Sequence, residues 1–250
     1  MLINSEHSET EINILKDLHC QYVISVLDIF NYQSFKCIVM PLADVNAHKF
    51  LTTSALGTGG MSESMVRNII YAALKALKYL HKNNICHRDI KTENILVSGV
   101  NSSYPIITLS DFGLAARVEP GKKLDEYVGT LRFAAPEIIN HIPYDKSVDM
   151  WSLGVTMYTL LSGTSPFPIT PESCLRRCIQ KGAYFYPARI WKGISSSAKN
   201  LIDSMIKVDP EQRITAEDAL KHPWIMNKSI PANDTIGPKP SFSMPALNIY

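Results

Sequence analysis

The chain has 250 residues, with 25 Lys and Arg against 23 Asp and Glu, and its net charge of +2 is too small to make nucleic acid or an anionic membrane the main partner. Hydrophobic residues make up 46% and charged residues 19%, ordinary values for a soluble globular protein able to bury one large core or two modest lobes. Cys20, Cys37, Cys86, Cys174 and Cys178 form no C-x-x-C pair, so neither a zinc site nor a disulfide framework is expected, and a reducing cytoplasmic or nuclear location fits. The N-terminus shows no basic region followed by an apolar run, and the most apolar stretch, 151–161, is too short for a membrane span.

In chain order, Glu11, Ile14, Leu15 and Leu18 share one helical face, which predicts a helix over 11–18. Two β-type runs follow, VISVLDI at 23–29 and FKCIVM at 35–40, and the polar segment 31–34 between them suits a hairpin. Beyond Pro41, the stripe Val66, Ile69, Ile70, Ala73, Leu74, Leu77 and Leu80 predicts a long amphipathic helix, its start marked by residues 57–60 and Ser62. Residues 84–137 read as loops with very short strands at 95–97 and 106–109. Residues 148–161 are apolar nearly all round, which marks a buried helix. Cys174 and Cys178 lie four apart on a further helix and read as two unrelated thiols. Helical patterns then cover 195–207 and 215–222, the second opening on Thr215 and Asp218 in capping-box spacing with Asp for the usual Glu. From 226 to 250 Pro, Ser and Asn dominate, which predicts a flexible tail. No internal repeat is present.

Chemistry concentrates between the short strands. In His87-Arg88-Asp89-Ile90-Lys91-Thr92-Glu93-Asn94, an aspartate is followed by a lysine two residues later and an asparagine five residues later, around one loop mouth. Phosphoryl transfer needs a group that orients the acceptor hydroxyl, a cation on the transferring phosphate, and oxygen ligands for magnesium. Asp89, Lys91 and Asn94 offer those three in order. Asp111, in Asp111-Phe112-Gly113, adds a second oxygen ligand for the metal.

Together with Ala135-Pro136-Glu137, the Asp149-x-Trp151-Ser152-Leu153-Gly154 run and the Asp-Pro-x-x-Arg run of 209–213, these residues resemble the protein kinase family over 8–225, every motif in family order. The resemblance implies an α+β, protein-kinase-like bilobal fold: an incomplete small lobe over 1–40 with helix C and two strands, then a complete, mostly helical large lobe over 41–225. It implies ATP and Mg2+ as cofactors and protein substrates with Ser or Thr acceptors. By the family pattern Asp89, Lys91 and Thr130 are catalytic. Met40, Leu42, Glu93, Asn94, Leu96 and Asp111 contact the nucleotide, with Asn94 and Asp111 on the metal. Leu15, His87 and Phe112 stack as a spine between lobes, and Glu11 is the helix-C glutamate. Glu137 pairs with Arg213, and Asp149 braces the catalytic loop from beneath. Lys91 and Gly129-Thr130 imply Ser/Thr rather than Tyr acceptors. Residues 182–225 are most similar to the calcium/calmodulin-dependent and phosphorylase-kinase-like branch.

The departures from the pattern carry their own readings. Pro41 stands for a commoner glutamate and removes an N–H, leaving the Leu42 backbone to carry adenine recognition. Met40 reads as pocket wall by resemblance and as core by residue type. Thr92 replaces a proline and Phe133 a tyrosine. Thr159 stands where some basic-directed kinases place an acidic residue, so no basic substrate preference is implied. Glu126, four residues before Thr130, reads either as a carboxylate paired with Arg88 that orders the segment without phosphorylation, or as a solvated loop charge.

Only ten residues precede Glu11, so the family's glycine-rich loop and strand-3 lysine have no room. Loss of even one preorganised donor costs roughly 10²–10³ in rate, so the chain taken literally is expected to be a poor kinase. Three readings stand: a fragment of an active Ser/Thr kinase, a catalytically impaired pseudokinase-like scaffold, and a phosphotransferase of another kind. Asp89, Asn94 and Asp111 weigh against the second, and the Thr130 segment against the third. No basic amphipathic helix follows residue 225, so no calmodulin-binding segment is expected.

Overall fold

The computed structural model describes residues 2–3, 7–33, 35–54, 59–102, 105–167 and 171–227. Strands β1 (Leu2–Ile3), β2 (Asp28–Tyr32) and β3 (Phe35–Val39) form an antiparallel sheet in the order β1-β3-β2. Helix α1 (His7–Asp17) is tied to it by Lys36 Nζ on Glu9 Oε1 at 2.7 Å. The hairpin expected between the two β-type runs is present, with Tyr32 opposite Phe35.

The 23–29 run does not form one strand. Only Asp28 and Ile29 enter β2, which runs on to Tyr32, while Val23 bridges to Leu109 in parallel and the Ile24 N–H donates to the Leu109 carbonyl at 2.8 Å. Val23 and Ile24 are both buried. Neighbouring residues of a strand face opposite sides, so both are covered only because the chain leaves the small sheet and wedges against the large lobe.

Strand β4 (Val45–Asn46) and helix α2 (Ala47–Ser54) follow, neither anticipated from the sequence. The helix starts because Asn46 Oδ1 accepts the Lys49 N–H at 2.8 Å. Helix α3 (Glu63–Lys82) begins the same way, with Ser62 Oγ accepting from the Met65 N–H at 3.4 Å, and all seven residues of the predicted stripe are buried. Strands β5 (Ile85–Cys86), β6 (Ile95–Ser98), β7 (Ile106–Leu109) and β8 (Ala116–Arg117) frame the loops: β6 lies between β4 and β7, and β5 pairs with β8.

The remainder is helical: α4 (Pro136–Ile139), α5 (Ser147–Ser162), α6 (Glu172–Lys181), α7 (Ala188–Trp191), α8 (Ser196–Met205), α9 (Ala216–Ala219) and α10 (Pro223–Met226). The fold is α+β, few strands in the small lobe beside a helical large one. Helix α5 is its axis, buried along its length except at Ser147 and Thr159. Each large apolar side chain covered there contributes about 1.5–3 kcal/mol. A Cβ on Gly154 would lie 2.7 Å from Ile206 Cγ1 and 2.9 Å from Met205 Cβ, so the glycine is what lets the end of α8 close on α5.

Two expectations near the C-terminus change. The helix predicted over 215–222 stops at Ala219, although Thr215 does cap it, accepting from the Asp218 N–H at 3.1 Å. Asp218 is a methylene shorter than Glu, and its carboxylate meets the Thr215 hydroxyl at 2.8 Å, with no hydrogen bond back to the Thr215 backbone. Trp224 and Ile225 are buried and α10 runs through Met226; the rest of the predicted tail, 228–250, lies outside the described residues. No helix among the described residues is long and apolar enough to cross a membrane.

Candidate active site

Strand β5 delivers the chain into the loop 87–94, where Arg88 adopts φ +66°. A non-glycine residue holds that left-handed conformation only when its surroundings compensate. Asp149, fully buried on α5, does so: its carboxylate accepts the His87 N–H at 3.0 Å, the Arg88 N–H at 2.9 Å and the His81 Nε2 at 2.9 Å. Burial pushes this carboxyl up, but the His81 hydrogen bond and charge, joined by the His87 N–H, more than offset it, and its pKa lies below the ordinary value. The buried His87 is held below the usual histidine range, chiefly by desolvation. One neutral tautomer satisfies it, Nε2–H donating to the Ser110 carbonyl at 3.1 Å while Nδ1 accepts the Asp89 N–H at 3.3 Å. Its ring meets Phe112 edge-on at 4.8 Å, and Leu15 shares the core cluster of Phe112.

With the loop so held, Asp89 becomes a meeting point. Its Oδ1 accepts the Thr130 hydroxyl at 2.9 Å and the Thr130 N–H at 3.2 Å. Its Oδ2 accepts Lys91 Nζ at 2.5 Å and Asn94 Nδ2 at 3.0 Å. Lys91 Nζ also donates to Thr130 Oγ1 at 3.1 Å, so the ammonium, the carboxylate and the hydroxyl form one closed set. Gly129 permits this approach: at φ +98°, a Cβ there would fall 2.6 Å from the Arg88 carbonyl oxygen.

Asn94 directs its amide nitrogen at Asp89, to the carbonyl at 2.9 Å as well as to the carboxylate, and its Oδ1 has no hydrogen-bond partner among the described residues. The Ser110 N–H and hydroxyl both bind the Asn94 carbonyl, at 2.9 and 3.0 Å, which brings Asp111 beside this loop. Asp111, at φ +63°, lines a recess of about 160 Å3 with Glu11, Ile24, Met40, Pro41 and Leu96. Glu11 is 2% exposed and its Oε2 is buried without a hydrogen-bond partner. Burial first, and Asp111 second, raise its pKa. Two carboxylates and the Ser110 side chain in a mainly apolar recess make a donor set that calls for positive charge, and suits a hard cation with oxygen ligands.

Arg88 reaches from the same loop to the segment after Gly113. Its Nε donates to the Leu114 carbonyl at 2.5 Å, and its Nη1 meets both Glu126 Oε2 and the Tyr144 hydroxyl, the latter at 3.3 Å. Tyr144 in turn donates to the Glu126 carbonyl at 2.8 Å. Below the segment, Arg213 and Glu137 form a two-pronged buried pair at 2.5 and 2.7 Å.

The structure therefore brings Asp89, Lys91, Asn94 and Thr130 into direct contact, with Glu11, Met40, Leu96 and Asp111 around the adjoining recess. Leu42 turns its side chain to solvent, 97% exposed, and Glu93 faces a different cleft. His81 and Tyr144 were not anticipated: each binds a partner more than fifty residues away, and no local motif announces them.

A protein kinase domain model matches residues 3–225. The chain belongs to the protein kinase domain family. It is 37% identical over 227 residues to the phosphorylase b kinase gamma catalytic chain, liver/testis isoform, of Homo sapiens, across 88% of this chain and 54% of that one. It is 35% identical over 232 residues to calcium/calmodulin-dependent protein kinase type 1 of Caenorhabditis elegans, across 93% and 65%. It is 36% identical over 224 residues to serine/threonine-protein kinase H1 of Homo sapiens, across 89% and 52%. These relatives put the kinase domain in the calcium/calmodulin-dependent and phosphorylase-kinase-like branch, and the chain spans about half to two thirds of their length.

Proposed function

We propose that this domain transfers the γ-phosphate of ATP to serine or threonine hydroxyls of protein substrates. The observation that carries the proposal is the closed contact of Asp89, Lys91 and Thr130 beside a recess holding Asp111 and Glu11. Asp89 orients the acceptor hydroxyl and accepts its proton as the oxygen attacks. Lys91, moving from Asp89 Oδ2 to a phosphoryl oxygen, frees lone pairs for that hydroxyl and offsets the developing charge. Thr130 fixes the carboxylate plane through two hydrogen bonds to one oxygen. Asn94 Oδ1 and Asp111 are the groups that would hold magnesium, which when bound neutralises the phosphate oxygens. Ile24, Met40 and Leu96 give the apolar walls an adenine ring requires. Pro41 has no N–H and the Leu42 side chain is solvent-exposed, which supports base recognition through the Leu42 backbone.

Glu126 belongs to the same proposal. Its contact with Arg88 supports an activation segment, the stretch from Asp111 to Glu137, ordered by a built-in carboxylate in place of an added phosphate. The test of function is label transfer from γ-labelled Mg-ATP to a serine- and threonine-containing protein by the 250-residue chain. Asp89→Asn is expected to lower the rate roughly 10²–10⁴-fold, the range of a lost general base, with label recovered on Ser or Thr. Equal incorporation by the two proteins, or label on Tyr alone, would overturn the assignment.

A further inference from the structure

A second cleft, of about 350 Å3, reaches along the chain to within two residues of Thr130 and one residue of Lys91. Helix α2 contributes His48 to its wall, the catalytic loop Glu93, the turn after Thr130 Arg132, α5 Thr159, and the bend beyond α5 Thr164. Its charged groups are unequally satisfied. Glu93 Oε2 accepts the Thr92 hydroxyl at 2.8 Å. Arg132 is exposed to the cleft and has no ion pair or hydrogen bond among the described residues, including none to Glu93. Thr159 donates its hydroxyl to the Val155 carbonyl at 2.8 Å, so that wall carries no charge of its own.

With an acceptor polypeptide lying in this cleft beside Asp89, we propose that Arg132 selects an anionic side chain a few residues from the acceptor serine or threonine. The inference rests on the kinase reading and names its substrate class. A guanidinium with no partner among the described residues gains most from a carboxylate or phosphate that it can grip with two parallel hydrogen bonds. Extended chain advances about 3.3 Å per residue, so an acceptor at Asp89 puts side chains two or three positions away within the reach of Arg132. Glu93, facing the cleft from the catalytic loop, repels a second anion and confines the first to the Arg132 side.

The probes are fluorescein-labelled peptides with one serine in an alanine–glycine background and a single aspartate moved through the flanking positions. Each is measured twice: by anisotropy without nucleotide, and by phosphate incorporation with Mg-ATP. At one position aspartate should bind about tenfold tighter than alanine, the scale of one charge-assisted pair. Arg132→Gln should abolish that ratio and Arg132→Glu should invert it in favour of lysine at the same position. A preference below about twofold everywhere, a preference that survives Arg132→Glu, or no measurable binding by any peptide overturns the inference. Phosphorylation of the peptides without aspartate preference would do so too, while leaving the kinase reading intact. Conversely, Arg132-dependent binding with no phosphate transfer would sink the kinase reading and leave the cleft assignment standing.

Discussion

Glu11 is the least comfortable side chain of the site: buried, without a partner on Oε2, and beside Asp111. Its raised pKa means that the folded state prefers the protonated acid. The stability this contributes is present below the ordinary glutamate value of 4.5 and is lost as pH rises through the elevated one. Glu11→Gln removes the charge and keeps the shape. Between about pH 5 and pH 8 its melting temperature should therefore fall less than that of the parent chain, and near pH 8 the variant should be the more stable of the two. Parallel melting profiles would show that the carboxyl is not strained. The opposite case lies nearby. Asp149, also buried, has a lowered pKa because the His81 imidazole, and after it the His87 amide, outweigh the cost of its burial. Burial alone thus does not decide which carboxylate is a liability; the donors do.

At the scale of elements, the activation segment hangs on Arg88, whose guanidinium joins the Leu114 carbonyl to Glu126 and Tyr144. Glu126→Ala removes the one carboxylate in that set. Transfer should drop about threefold to tenfold, the scale of one partly exposed charged hydrogen bond, and an unchanged rate would return Glu126 to the status of a solvated loop charge. How far such elements were legible depends on where their information lies. Helix α5 announces itself because nearly every side is apolar, and the 87–94 loop because its three polar groups sit within six residues. Helix α2 does not, since the stretch AHKFLTTS has few apolar residues and its cap, Asn46, stands outside it. The bend at Val23 and Ile24 depends on Leu109, and the bracing of the loop on His81 and Asp149, all distant in sequence. Spacing within a loop reads directly; pairing across the fold does not.

For the molecule as a whole, the helical lobe is assembled around one helix, and the close crossing at Gly154 sets how tightly it shuts. Gly154→Ala improves helix propensity, yet its methyl would collide with Ile206 and Met205. Overpacking should win, with a net loss of about 1–3 kcal/mol in urea unfolding. A gain in stability would mean that α8 shifts freely against α5. The small lobe is tied to the rest by Val23 and Ile24 against Leu109, by the His19 N–H on the Tyr79 hydroxyl and by Asp17 on Arg117.

Two acid–guanidinium contacts flank the same segment but meet solvent very differently. The Glu137–Arg213 pair is sealed, whereas the Glu126 side chain is 63% exposed. Dissolved ions therefore reach one latch and not the other. Rising ionic strength should loosen the segment from Arg88 while its foundation holds, so that brine would disarm the domain well before it unravels.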